Sequence, residues 1–427
     1  TAGDETDYRV QIAHLLPDET QEAPYKVLEP LPPGRLDIGC ADLIAAIEEE
    51  LGRGAGLRKT GGRERAILVS VTPLPRAEAE ASLKELAALA ASSGLEVVDT
   101  VRQQRRRIDP RLLIGRGKLG ELAVLALQQS VGLLIFDQEL NPSQIRSITN
   151  QVELKVIDRT QLILDIFARR AHSREGKLQV EHAQLKYLLP RLATKNTAMS
   201  RLTGGIGGRG PGETKLEINR RRVREKITRL EKSLAAVKKQ RRQQKSRRSR
   251  NDLPVISIIG YTNAGKSTLL NTLTHSQVAA ENRLFMTLDP TSRRLKFPRD
   301  REVIITDTVG FIRDLPRELK VAFRATLEEL ESADLFVHVV DISDSRYPDH
   351  IESVNGILSE LRLESTPVLF ALNKQDRVEA DTARKIVRQT GGILMSANNS
   401  DTLNPFITAL TDRVEQLTAV SARQRRS

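Results

Sequence analysis

Val255-Ile256-Ser257-Ile258-Ile259-Gly260-Tyr261-Thr262-Asn263-Ala264-Gly265-Lys266-Ser267-Thr268 is the stretch whose reading decides the fold. An apolar, partly β-branched run ends at Gly260. After four intervening residues comes Gly265-Lys266-Ser267, and the run Thr268–Leu273 then has helical character. Strand, G-x-x-x-x-G-K-S loop and helix in this order make a phosphate-binding motif. Glycines let backbone N–H groups wrap an anion, and the helix N-terminus adds a partial positive charge. Lys266 is placed to reach the β- and γ-phosphates of a nucleotide, and the Ser267 hydroxyl to ligate Mg²⁺. A Gly-rich turn formed by chance would have no companions downstream.

Three companions follow, each at a strand end. Val303-Ile304-Ile305-Thr306-Asp307-Thr308-Val309-Gly310 is a strand closing in D-x-x-G. Asp307 is placed to hold Mg²⁺ through its water shell, and the Gly310 N–H to meet the γ-phosphate. Val368–Leu372 runs into Asn373-Lys374-Gln375-Asp376. A carboxylate there accepts two hydrogen bonds from the N1–H and N2–H₂ edge of guanine. Adenine lacks that donor pair and would leave polar groups unpaired. Ile393–Met395 reads as a short strand before Ser396-Ala397-Asn398, placed to support the base. In this order the motifs specify a GTPase that needs GTP and Mg²⁺, and ATP is the losing alternative.

Lys plus Arg number 67 and Asp plus Glu 55, for a net charge of +12. A chain this basic is expected to touch a polyanion. Residues 199–254 hold 18 basic and 5 acidic residues, while residues 1–62 hold 6 basic and 12 acidic. The basic segment has no Phe, Tyr or Trp, and aromatics make up 3% of the chain. Phosphate contact and the shape of structured RNA therefore fit better than base stacking. One cysteine, Cys40, excludes an intramolecular disulfide and suits a reducing compartment. No apolar run approaches the roughly 18 residues of a membrane span, and no prenylation cysteine closes the chain.

Residues 1–62 are rich in Pro and Gly, with Asp42–Leu51 the one candidate helix. They read as an extension, disordered in part or left from a truncated domain. From 63 to 172 strands alternate with helices, which predicts a parallel sheet with helices packed on it. Gly115-Arg116-Gly117-Lys118 lacks P-loop spacing and reads as a turn with a basic edge, with a second nucleotide site as the competing reading. Residues 173–250 read as an antiparallel, coiled-coil-like helical hairpin. Its first helix, Arg174–Leu189, has Leu178, Leu185 and Leu189 on one side and is stopped or kinked at Pro190. Its loop is Gly204–Gly212. Its second helix has Leu216, Val223, Ile227, Leu230, Leu234 and Val237 at coiled-coil spacing. That helix ends in the basic run Lys238–Arg250, read as a surface for RNA phosphates or as a solvated linker. Residues 251–417 read as a Ras-like, doubly wound P-loop GTPase domain with six strands, and 418–427 as a disordered tail. The fold class is α/β.

The chain resembles the HflX family of ribosome-associated GTPases. The likeness rests on Ile114-Gly115-Arg116-Gly117-Lys118, Val156-Ile157-Asp158-Arg159-Thr160 and Ile166-Phe167-Ala168-Arg169-Arg170-Ala171. It rests most on Gly208-Arg209-Gly210-Pro211-Gly212-Glu213-Thr214-Lys215-Leu216-Glu217, with Thr287-Leu288-Asp289-Pro290-Thr291 and Asp307-Thr308-Val309-Gly310-Phe311-Ile312. The resemblance implies a cytoplasmic protein that binds the large ribosomal subunit and its 23S rRNA and separates stalled or idle ribosomes. No DNA partner, no stable membrane association and a monomer are expected. It also implies that Thr287 is the switch I threonine that ligates Mg²⁺, within the nucleotide-contacting stretch Phe285-Met286-Thr287-Leu288-Asp289. Lys266, Thr287 and Gly310 are then the expected catalytic set, and Ser267, Thr287 and Asp307 the expected Mg²⁺ ligands. Some members are reported to bind ATP through the N-terminal domain. Asn263 matches the position that ligates K⁺ in cation-dependent GTPases, although Asn also suits unusual backbone angles. A tRNA-modifying GTPase would end in a functional cysteine, and Cys40 is at the wrong end. A ribosome-assembly GTPase would carry an RNA-binding module after residue 417, and none is legible there.

Overall fold

The computed structural model describes residues 9–11, 13–15, 25–32, 63–192, 215–248, 253–274, 291–297, 301–308, 310–312 and 330–424. Asp42–Leu51, Gly204–Gly212, Phe285–Asp289 with Thr287, and Val309 lie outside them. The chain divides into two compact units, Thr1–Leu162 and Ile163–Ser427.

The first unit opens with an antiparallel pair that the sequence does not predict, β1 (Ala13–Leu15) and β2 (Tyr25–Val27). Then come β3 (Arg65–Thr72), α1 (Arg76–Ser92), β4 (Glu96–Gln104), α2 (Arg116–Gln128), β5 (Leu133–Phe136), α3 (Pro142–Val152) and β6 (Lys155–Asp158). The sheet is parallel in the order β4-β3-β5-β6, as the alternation predicts. Central β3 and β5 are buried on both faces; β5 is an unbroken apolar run, and the apolar run of β3 is interrupted by the buried Ser70. A capping box starts α3: Asn141 Oδ1 accepts from Gln144 N at 2.8 Å, and Gln144 Oε1 from Asn141 N at 3.0 Å. Inside this unit Arg159 is buried between Glu85 and Asp137, 3.0 Å from each.

The turn before α2 is the start of a helix. Gly115 N donates to Gln103 Oε1 at 2.8 Å, and Lys118 Nζ meets Glu121 at 2.6 Å on the surface.

Next are α4 (Arg159–Arg170), α5 (Arg174–Leu192) and α6 (Lys215–Arg248). Helix α5 continues two residues past Pro190. Proline removes one N–H and crowds the carbonyl four residues back. These last residues are held by Arg191, whose guanidinium donates to Tyr187 O at 2.9 Å and lies 3.4 Å over the Tyr187 ring. The face α5 buries is Gly176, Val180, Ala183 and Tyr187, not the predicted Leu178, Leu185 and Leu189. Gln179 and His182 are buried with them. Helices α5 and α6 are in contact: Lys226 meets Glu181 at 2.5 Å, and Glu231 meets Lys186 at 3.0 Å and His182 at 3.2 Å. Ile227 and Leu230 of the predicted seam are buried.

The rest is β7 (Val255–Gly260), α7 (Lys266–Thr274), β8 (Thr291–Phe297), β9 (Arg301–Asp307), β10 (Leu335–Asp341), α8 (Tyr347–Glu360), β11 (Val368–Asn373), α9 (Ala380–Thr390), β12 (Ile393–Leu394) and α10 (Asn404–Gln424). Six strands lie in the order β12-β11-β10-β7-β9-β8, all parallel except β8. The core on one face joins Ile258, Val337, Val339 and Ala371 to Leu269, Leu270, Phe406 and Leu410. Thr418–Gln424 continue α10 where the sequence predicts a disordered tail. Ala419, Val420, Ala422 and Arg423 do not break a helix already under way.

Candidate nucleotide site

Strand order turns at β7: β9 lies on one side and β10 on the other. In an open α/β sheet, a crevice at the carboxyl ends opens at such a switch point. Gly260, Asp307, Asp341 and Asn373 are the last residues of β7, β9, β10 and β11, so their loops converge there.

The loop after β7 is closed around Lys266. Lys266 Nζ donates to Tyr261 O at 2.7 Å and Gly260 O at 3.0 Å. Burial, partly opposed by the charge of Asp307, pushes its ammonium down to about 8. Asn263 adopts φ +62°, the left-handed region that Asn tolerates. Ser267 Oγ donates to Asp307 Oδ2 at 2.9 Å, so two of the three predicted metal-ligand positions touch.

The end of β9 is sewn to the same loop. Thr308 Oγ1 donates to Ile258 O at 2.7 Å, Phe311 N to Gly260 O at 3.1 Å, and Thr262 N to Phe311 O at 2.7 Å. A Cβ on Gly310 would stand 2.9 Å from Thr262 Cγ2 and 3.0 Å from Lys266 Nζ, so only glycine fits there. The Phe311 side chain is buried. Tyr261 and His350 of α8 stack with ring centroids 4.0 Å apart and planes 11° from parallel.

On the other side Asn373 is fully engaged. Its Nδ2 donates to Ala264 O at 2.7 Å, and its Oδ1 accepts from Ala397 N at 2.8 Å. Lys374 takes φ +63° and its Nζ meets Asp341 Oδ2 at 2.5 Å. Gln375 N donates to Met395 O at 3.3 Å, which brings the 396–398 loop beside Asp376. Asp376 is half exposed, and a hydrogen bond from the Ser396 side chain holds its carboxyl below the usual range. Ser396 N is anchored in turn on Thr402 Oγ1 at 2.9 Å. Asn398 lies in the turn that follows.

The structure thus gathers Gly260–Thr268, Asp307, Thr308, Gly310, Asn373–Asp376 and Ser396–Asn398 at one crevice. Two contributors escape the sequence reading, Asp341 and His350. Asp341 ends an apolar strand and its Oδ1 caps Ser343 N, a local Asx turn that the D-x-S spacing could have signalled. His350 has no sequence signal.

A P-loop on a doubly wound sheet, with D-x-x-G and N-K-x-D at neighbouring strand ends, defines a GTP hydrolase. Three protein-family profiles match the chain: "GTP-binding GTPase N-terminal" over residues 80–168, "GTP-binding GTPase Middle Region" over 170–248 and "50S ribosome-binding GTPase" over 255–374. GTPase HflX of Caldanaerobacter subterraneus subsp. tengcongensis is 49% identical over 317 residues, 74% of each chain. GTPase HflX of Escherichia coli K12 is 42% identical over 355 residues, 82% of this chain and 83% of that protein. A crystal structure described as SsGBP in complex with GDP is 25% identical and covers 83% of this chain and 99% of its own, with a TM-score of 0.49. The chain belongs to the HflX family of GTPases.

Proposed function

We propose that this GTPase binds the 23S rRNA of the large ribosomal subunit as a cytoplasmic monomer, and couples GTP binding and hydrolysis to the dissociation or rescue of stalled or idle ribosomes. The observation that carries the reading is helix α6. It buries Ile227 and Leu230 and exposes Arg221, Arg224, Arg229 and Lys232 along its outer face. A helix fixed on one side and basic on the other suits the phosphates of structured RNA. The basic run Lys238–Arg250, whose last two residues lie outside the described ones, is proposed as a further rRNA-phosphate contact.

In the nucleotide site, Lys266 exchanges its two carbonyl partners for β- and γ-phosphate oxygens, with the loop N–H groups and the α7 N-terminus around them. Ser267 and Asp307 present hard oxygens at one point, which fits magnesium, and Thr287 is the proposed third ligand. Bound Mg²⁺ neutralises charge on the β- and γ-phosphates. Asp376 accepts from the guanine N1–H and N2–H₂ groups, and Asn373 keeps its loop against the P-loop. The Gly310 N–H meets the γ-phosphate. Asn263 is the candidate ligand for K⁺, which would supply charge where an arginine finger does in other GTPases. Equal hydrolysis rates in K⁺ and Na⁺ buffers would remove that part.

Control of hydrolysis follows from Phe311. Ras-like GTPases place a water-orienting glutamine directly after D-x-x-G. Here a buried phenyl ring stands there, and its backbone is tied to Gly260 and Thr262. A phenyl ring positions no water, so turnover of the free protein is slow and docking on the ribosome accelerates it. The test is co-sedimentation with purified large subunits in a GTP analogue against GDP, with single-turnover hydrolysis measured with and without subunits. Binding in the GTP form and faster hydrolysis on subunits support the reading. No co-sedimentation in either state sinks it.

A further inference from the structure

The charge of the first unit is not spread evenly. Residues 102–118 hold seven basic residues and one acidic, whereas the other residues of 63–162 hold seven basic and eleven acidic. The basic set is Arg102, Arg105, Arg106, Arg107, Arg111, Arg116 and Lys118, around the end of β4, the following loop and the start of α2. Arg106, Arg107, Arg111 and Arg116 are exposed, and among the described residues none of these four forms an ion pair.

The loop that carries them is fastened by its own backbone hydrogen bonds and by buried side chains. Asp109 Oδ1 accepts from Arg111 N at 2.7 Å and Leu112 N at 3.0 Å, and its carbonyl accepts from Leu113 N at 2.9 Å. These backbone hydrogen bonds hold the Asp109 carboxyl below the usual range, with the charges of Arg105 and Arg116 adding to them. The one carboxylate in the loop is thereby turned inward to the backbone. Leu112, Leu113 and Ile114 are buried and fasten the loop to the core of the sheet. Gly115 opens the 13-residue helix α2 with no acidic residue in its first turn, so the positive end of the helix dipole faces the same surface. The Arg105 Nη1 atom is buried beside Gly115 and has no hydrogen-bond partner among the described residues.

Like charges held together on an ordered loop repel, and a polyanion removes that repulsion. Six of the seven cations are arginines, whose planar fork matches phosphate oxygens in pairs. The segment has no aromatic residue, which argues against base stacking. We infer that the Arg105–Lys118 face of the first unit is a second RNA-phosphate surface, separate from the basic helix α6. This inference rests on the ribosome reading above and adds a further RNA-binding region to it.

The test uses the full chain with Arg106, Arg107 and Arg111 changed together to Gln, and a companion with all three changed to Lys. Both are measured for binding to large subunits, and to naked 23S rRNA, across a salt series. The Gln variant is expected to bind subunits about tenfold more weakly at physiological salt. Its log–log salt slope should fall by up to about 0.7–0.9 for each phosphate that is no longer neutralised. The Lys variant should keep the slope, because charge is retained. GTP hydrolysis by the free protein should match wild type in both. Unchanged subunit binding and slope in the Gln variant would overturn the inference and make the face an ordinary solvated surface. Weaker binding to subunits with unchanged binding to naked rRNA would overturn it in favour of an acidic protein partner. Wild-type binding to naked 23S rRNA without binding to subunits would strike the ribosome reading alone, and failure to bind either would overturn both.

Discussion

The side-chain amide of Asn373 occupies the space that any side chain on Gly265 would need. A Cβ on Gly265 would lie 2.2 Å from Asn373 Nδ2, and Gly265 has φ +98°. Asn373 thus fastens the P-loop, through Ala264, to the base loop, through Ala397.

Gly265→Ala should therefore damage both ends of the site at once. Backbone strain of about 1–3 kcal/mol is joined by a clash that displaces Asn373. GTP affinity should fall by at least about 10–100-fold, measured by equilibrium binding. Wild-type affinity in this variant would mean that the P-loop relaxes freely, contrary to the geometry.

The lowered Lys266 makes binding pH-dependent. Phosphate favours the protonated ammonium, which the free protein loses above about 8. GTP affinity should fall by about tenfold per pH unit above that value. The free protein shows the opposite trend in stability. Its folded pKa lies below the unfolded value of 10.5, so the unfolded chain binds more protons between about 8 and 10.5 and stability rises across that window. Calorimetric proton uptake on binding at pH 9 checks the first claim.

His338 sets a limit on the acid side. It is buried in β10, and burial together with the Lys266 charge lowers it to about 3 from 6.5. Between those values the unfolded chain binds the extra proton, so stability is lost as pH falls from about 6.5 toward 3. The loss is on the order of a few kcal/mol. A His338→Leu variant should flatten this part of the acid unfolding curve, read by hydrogen exchange in β10. A curve as steep as wild type would assign the loss to other groups.

Base choice rests on Asp376. Asp376→Asn should weaken GTP binding by at least about tenfold, because a charge-assisted acceptor pair is removed. Xanthine nucleotides, with a carbonyl where guanine has an amino group, should bind better than before. Competition binding with both nucleotides reads the two effects together.

Phe311→Gln separates packing from chemistry. The ring is buried and its backbone bridges Gly260 and Thr262, so the variant should lower thermal stability and leave free-protein hydrolysis slow. A marked rise in intrinsic turnover would mean that the missing glutamine alone limits the rate.

What the sequence discloses, and what it hides, follows from how local each signal is. The β7 loop and the motifs at Asp307 and Asn373 are legible because each joins an apolar run to a fixed polar spacing. Strand β8, Thr291–Phe297, is invisible to that reading. Thr-Ser-Arg-Arg-Leu-Lys-Phe shows no clean alternation, and its antiparallel place is fixed by pairing with β9. The α5 face is easily misread because leucines draw attention while the buried residues include Gly176, Ala183 and the polar Gln179 and His182. The Arg105–Arg107 loop is hidden because eleven acids elsewhere in residues 63–162 cancel it in any count made by domain. The D-x-S spacing marks the Asx turn at Asp341, but its contact with Lys374 crosses a strand pair and the stack of His350 on Tyr261 comes from a helix, and neither contact has a local signal.

The stack of Tyr261 on His350 has a spectroscopic use. The protein has no tryptophan and five tyrosines, so its near-ultraviolet emission is tyrosine emission. A phenol lying face to face with an imidazole is quenched, most strongly when the imidazole is charged. Tyr261 is thus an optical reporter within the P-loop, and the difference between wild type and Tyr261→Phe isolates its signal. Any shift of α8 against that loop during the nucleotide cycle will register as a change in light, with no dye attached.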